Sequence, residues 1–233
     1  MPVLQQARGI RWDKPRCISQ NKRIGCLNKN ILRREPIIMA SPLHSAQQKQ
    51  PTPPFPPLYR SLEALREEIV LSVYKLTVSQ TQLRPRRRPS AWSIQQVLQH
   101  LMLTYDLAAA AFEERLAKGR PSLRPVSLKE RSVQRIVLNW GFFPSGRKAP
   151  APTEPERISL PALPGGELAL ETAAHLAAFD LLAAKAEAAF GDVRAINHMV
   201  LGPMSVPQWR RFQVVHGRHH LKQIVRIRAD HHL

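Results

Sequence analysis

The chain has 233 residues and a mass of 26.4 kDa, 43% hydrophobic and 22% charged, enough for one sizeable core with residues left over for tails. No apolar run is long enough to span a bilayer, and two cysteines, Cys17 and Cys26, are too few for a disulfide framework and wrongly spaced for a zinc knuckle. The formal charge of +18 invites nucleic-acid binding, but residues 1–50 hold ten Lys/Arg against Asp13 and Glu35, so nearly half of the excess lies in one segment.

Residues 1–57 read as a basic, Pro-rich extension that does not fold alone, closing on Pro51-Thr52-Pro53-Pro54-Phe55-Pro56-Pro57. Its first 38 residues are Arg-rich and acid-poor, as a transit peptide is, but lack a clean amphipathic helix, and Met39 is an alternative start. There is no apolar leader with a cleavage site, so a soluble cytoplasmic protein without membrane association is expected. A helical domain is expected over 58–230.

The domain opens with Leu58, Leu62, Leu65, Ile69, Val73 and Leu76, spaced at threes and fours, which predicts an amphipathic helix over 58–78. Arg84-Pro85-Arg86-Arg87-Arg88-Pro89 ends it as a solvated loop. Ser93-Ile94-Gln95-Gln96 has the form of a capping box and opens a second helix to about Lys118, with Ile94, Val97, Leu101, Tyr105, Ala108 and Phe112 facing inward. A shorter helical pattern over 127–140 predicts Leu128, Val133, Ile136, Val137 and Trp140 as its apolar face. Prolines and glycines over 141–166 predict a surface-crossing loop without regular structure.

An Ala- and Leu-rich helix is expected over 170–190, packing through Leu170, Ala174, Ala177, Leu181, Ala184 and Ala188. After a turn-rich approach over 197–204, Ser205-Val206-Pro207-Gln208 caps the last helix. No strand signal competes. The expected fold class is therefore all-α, an antiparallel four-helix bundle with a long Pro/Gly-rich crossover loop.

The last helix carries the chemistry. Its inward stripe is Trp209, Phe212, His216, His220, Gln223 and Ile227, and two imidazoles on an apolar face need partners. Four residues apart on a helix, His216 and His220 lie one above the other and can grip one divalent ion. His100, one step round from Leu101 on the second helix, is the candidate third ligand. Each of the three alone also reads as an ordinary core histidine with satisfied nitrogens. Three imidazoles would leave a coordination position open. Gln223 reads equally as an ordinary polar helix residue and as one placed to orient an imidazole or a bound water. His219 falls off the stripe, His175 is expected on an exposed face, and His231 and His232 at a frayed end. His198 reads first as structural, with a place at a pocket mouth as its alternative. Glu67 and Glu68 are weighed as general bases without either being assigned.

Trp92-Ser93-Ile94-Gln95-Gln96-Val97-Leu98-Gln99-His100-Leu101 resembles the start of the second helix in the DinB/YfiT-like metalloenzyme superfamily. Gly202-Pro203-Met204-Ser205 through Trp209, then His216, His220-Leu221 and Gln223-Ile224, is similar to that superfamily's last-helix motif, in the branch of uncharacterised bacterial proteins. His198-Met199 departs from the His-Pro common in that branch. The resemblance covers about 58–228 and implies a four-helix bundle whose metal ligands are His100, His216 and His220. It implies a divalent cation (Zn, Ni, Fe or Mn), a small-molecule substrate such as a low-molecular-weight thiol, thiol-dependent transferase or hydrolase chemistry, and a homodimer. The alternative is a non-catalytic stress-response or binding module with a structural metal or none. Specific nucleic-acid binding is not expected.

Overall fold

The computed structural model describes residues 57–122, 124–143 and 149–233, with side chains from Ser61 onward. The basic segment, both cysteines, nearly all of the Pro-rich linker and residues 144–148 of the crossover loop lie outside the described residues. The described chain is mostly helical, with one small two-stranded sheet. None of its helices is long and apolar enough to cross a membrane.

Helix α1 (Pro57–Val73) buries Leu62, Leu65, Ile69 and Val73. It stops five residues short of the expected end. Thr77 takes up an extended conformation and caps a separate short helix, α2 (Val78–Thr81), through a reciprocal pair of hydrogen bonds with Gln80. A residue capping the next helix cannot also extend the previous one. Leu76 is buried all the same, in the turn between them.

Helix α3 (Ile94–Ala117) begins at the Ser93–Gln96 capping box, and all six of its expected inward residues are buried. Helix α4 (Leu128–Gln134) is capped by Ser127 and Glu130 and continues as a π-helical turn over Arg135–Asn139. That wider turn rotates the following side chains away from α-helical register. Of the expected face only Val137 is fully buried, joined by Leu138, which was not expected; Ile136 and Trp140 are exposed, and so is Leu128 ahead of the turn.

The crossover loop contains two single turns of 3₁₀ helix, Ala151–Thr153 and Pro155–Arg157, each with proline in its first turn. Thr153 and Pro155 are buried, so the loop does more than cross the surface. Helix α5 (Gly165–Phe190) starts earlier than expected and buries the other side. Leu168, Ala169, Thr172, Leu176, Phe179, Ala183 and Ala186 face the core, while Leu170 and Leu181 are exposed. Apolar residues surround this helix, so spacing alone does not select a face. Bulk selects it, through Phe179 meeting Phe112 edge-on with ring centroids 5.5 Å apart.

Against expectation, residues 196–204 form a hairpin. Strand β1 (Ile196–His198) pairs antiparallel with β2 (Gly202–Met204), His198 opposite Gly202. Strands of three residues fall below the length at which alternation is visible in a sequence. The Gln134 amide donates to the Leu201 and Pro203 carbonyls, and the Trp209 indole N–H donates to the Ile196 carbonyl. Helix α6 (Val206–Asp230) then starts at the Ser205–Gln208 capping box.

Helices α1 and α3 each pack against both α5 and α6. Arg210 on α6 is buried and ties down α5, donating from Nε to Asp180 at 2.7 Å and from a terminal nitrogen to Glu187. Both carboxylates keep partial access to water. Arg210→Met is expected to cost about 2 kcal/mol, between surface-pair and fully buried-pair values, as read from denaturant midpoints. The C-terminal end is not frayed: Asp230 accepts the Arg86 N–H and the His231 ring bonds the Arg84 carbonyl.

Candidate metal centre

The Ser93 cap fixes where α3 begins and so where His100 falls, two turns into the helix and facing α6. His216 and His220 occupy successive turns of α6. All three rings are buried and their ligand nitrogens lie within 4.8 Å of one another. The His216 Nε2 is 3.0 Å from the His220 Nε2 and 3.4 Å from the His100 Nε2.

Hydrogen bonds on the far side of two rings settle which nitrogen carries the proton. The His100 Nδ1 lies 2.7 Å from the Thr153 carbonyl oxygen, which only accepts, so Nδ1 donates. The His220 Nδ1 lies 3.2 Å from the Gln223 Oε1, while the same amide donates to the His219 Nε2 at 3.3 Å. In both neutral rings the Nε2 lone pair is thus turned towards the cluster. The Nδ1 of His216 is buried without a partner. One proton can bridge one Nε2 pair, but no protonation of neutral rings satisfies all three nitrogens together.

Such an arrangement fits a cation. Tetrahedral ligation at the usual zinc–nitrogen distance separates ligand nitrogens by roughly 3.3 Å, close to both separations observed. The cluster has three members among the described residues, one short of the four that close a structural zinc site. Three buried histidines here could hold a metal ion.

Aromatic rings surround the cluster. Trp92 lies 4.9 Å from His100 and 6.3 Å from His220 between centroids, and Phe212 stacks on His216 at 5.2 Å and 11°. Phe143 covers His216 and His219. Burial is the first cause of the lowered pKa of His100, and it holds His216 and His220 well below the ordinary histidine value, with the neighbouring imidazoles adding to it.

Other sequence candidates take different places. His219 is partly exposed and outside the cluster. Glu68 accepts two hydrogen bonds from Arg218, and Glu67 is exposed. His175 joins α5 to α3 through the Asp106 carboxylate, whose hydrogen bond raises its pKa. His198 is partly buried, packed on Phe212 and Trp209, and burial lowers it to about 4. The Thr153 contribution had no side-chain signature, because it comes from a backbone carbonyl in a Pro/Gly-punctuated loop.

Neutral buried histidines make stability depend on pH. The unfolded chain protonates near 6.5, whereas the folded rings resist until lower pH, so the unfolded state binds more protons in between. Their contribution is complete above pH 6.5 and is lost as pH falls; His175 acts in the opposite sense. Chelator-treated protein should therefore show a thermal midpoint that falls from pH 6.5 to about 4, the folded value of His198. A profile flat across that window would contradict the neutral, buried assignment.

The fold and the cluster define a mostly helical protein with a three-histidine centre fit for a metal ion. The chain belongs to a family described as proteins of unknown function, DUF1569, whose profile matches residues 60–227. No curated protein and no solved structure matches it.

Proposed function

We propose that this chain is a divalent-metal-dependent enzyme of the DinB-like superfamily, its four long helices forming an antiparallel four-helix bundle and His100, His216 and His220 holding the ion. The observation that carries this reading is the convergence of three buried Nε2 atoms, two with their lone pairs fixed inward by Thr153 and Gln223. A bound divalent ion supplies Lewis acidity and lowers the pKa of a water or thiol that it coordinates. The chain's own contribution is to hold the rings in one tautomer, to exclude bulk water with Trp92, Phe143 and Phe212, and to keep the ligand set at three. A small molecule, with a low-molecular-weight thiol as the first candidate, is the proposed substrate.

Support for an enzyme over a structural site comes from the missing fourth protein ligand among the described residues. A cleft of about 250 Å³ beside Arg131, Arg135 and Arg194 shares no residue with the cluster and has no part in this reading.

Elemental analysis of tag-free protein tests the metal. Wild type should carry close to one ion per chain, and His100→Ala and His216→Ala should carry less than about a tenth of that, as expected when one of three ligands is lost. Wild type that neither carries nor takes up a divalent ion would falsify the site. Catalysis is tested separately, by thiol-dependent conversion of monochlorobimane by metal-loaded wild type and its loss in His216→Ala.

A further inference from the structure

We propose that the apolar cleft beside the histidine cluster binds an uncharged ligand with one hydrogen-bond acceptor, and that His198 positions it by donating from Nε2. This rests on the metal reading only for what the ligand meets at the cleft's end; the cleft and its donor are properties of the protein alone.

The cleft has a volume of about 210 Å³, and none of its lining residues is charged. Leu107, Ala108, Ala111, Pro152, Trp209 and Phe212 supply apolar wall. Two of its residues also belong to the surroundings of the histidines: Thr153, whose carbonyl holds His100, and Phe212, which stacks on His216. A ligand seated here lies against the groups that position two of the three imidazoles.

His198 is placed by the hairpin. The chain reverses after it with Gly202 at a φ of +72°, in the left-handed region that glycine enters without a Cβ penalty. The reversal turns two backbone N–H groups back onto the ring, Val200 at 3.1 Å and Leu201 at 3.0 Å, both on Nδ1. A nitrogen accepting two N–H donors cannot carry a proton itself, so the neutral ring is protonated at Nε2. The ring faces Phe212 at 4.7 Å and 64° and Trp209 at 5.2 Å and 52°, which limits its rotation.

No described residue accepts a hydrogen bond from that Nε2, and the atom is not among the sealed buried polar atoms. The result is a ring that lines the cleft and carries an Nε2–H donor with no acceptor among the described residues. An uncharged oxygen or nitrogen acceptor satisfies it, while the rest of the ligand gains by leaving water. An anion would lose its hydration in a cleft with no cationic side chain.

The test uses the full-length, chelator-treated protein with His-labelled nitrogen-15, and three probes: acetophenone, ethylbenzene and benzoate. At neutral pH His198 should give a protonated-type Nε2 and an unprotonated-type Nδ1. Acetophenone should shift the Nε2 signal saturably, and ethylbenzene should leave its hydrogen-bonding state unchanged. In His198→Phe the ratio of acetophenone to ethylbenzene affinity should fall roughly fivefold, the value of one neutral hydrogen bond. A proton on Nδ1, or no saturable Nε2 shift up to the solubility limit of acetophenone, overturns the proposal. So does benzoate binding at His198 more tightly than acetophenone. If His198→Phe does not fold, the wild-type tautomer and Nε2 shift decide alone. Because no metal is present, failure here leaves the metal reading standing, and failure of metal uptake leaves this result standing.

Discussion

Zinc added to chelator-treated wild type should raise its thermal midpoint by roughly ten degrees, and His216→Ala should lose the whole rise. At a free ion concentration about a thousand times the dissociation constant, binding to the folded state alone contributes about 4 kcal/mol. For a domain of this size each kcal/mol moves the midpoint by roughly 2–4 °C. His216 is the informative position because its Nε2 approaches both of the others, at 3.0 Å from the His220 Nε2 and 3.4 Å from the His100 Nε2. Without metal the same substitution should change the midpoint by only a few degrees. It creates a cavity, which destabilises, but it removes a buried Nδ1 that has no partner and a crowded lone pair, which offsets part of that loss. Differential scanning calorimetry with and without zinc separates the two effects. An equal zinc-induced rise in both proteins would place the ion elsewhere, with the terminal His231 and His232 as the first alternative.

Gly165→Ala should be the most damaging small substitution in the chain, lowering stability by about 3 kcal/mol or more. Gly165 begins α5 where it meets the end of α1, and its N–H donates to the Leu76 carbonyl at 2.8 Å. A Cβ added there would sit within 2.7 Å of the Val73 carbonyl carbon and closer still to its oxygen. Backbone is what it meets, so no side-chain rotation relieves the clash. Gly217→Ala provides the control. It too introduces a close contact, at 2.7 Å, but with the methyl end of the Leu65 side chain, which can give way by side-chain torsion where backbone cannot. Urea denaturation should show Gly165→Ala well below Gly217→Ala, and a reversed order would mean that the α1–α5 junction yields more easily than its backbone contact implies.

The sequence was most legible where two constraints coincide. Ser93 with Gln96 and Ser205 with Gln208 set the starts of α3 and α6, and the apolar stripe that follows each cap set its inward face. His216 and His220 then fall on the expected inward stripe by spacing, whereas His100, one step round from Leu101, was free to face inward without being forced to. Where only one constraint existed, the reading failed. Helix α5 carries Ala or Leu on every side, so its spacing was compatible with several faces, and the face named was the exposed one. On α4 a single π-turn altered the register that the spacing assumed. The hairpin over 196–204 was too short to show alternation, so the setting that gives His198 its two N–H donors was invisible.

By itself, then, the sequence determined the capped starts of α3 and α6 and the helical positions of the three imidazoles, because each depends on residues within a few turns of one another. Tertiary structure decided what those imidazoles are. The Thr153 carbonyl reaches His100 from 53 residues away, and His100 meets His216 across 116. Tautomer, burial and convergence are set by those long-range approaches, since an imidazole nitrogen becomes a ligand or a donor only according to what faces its other side.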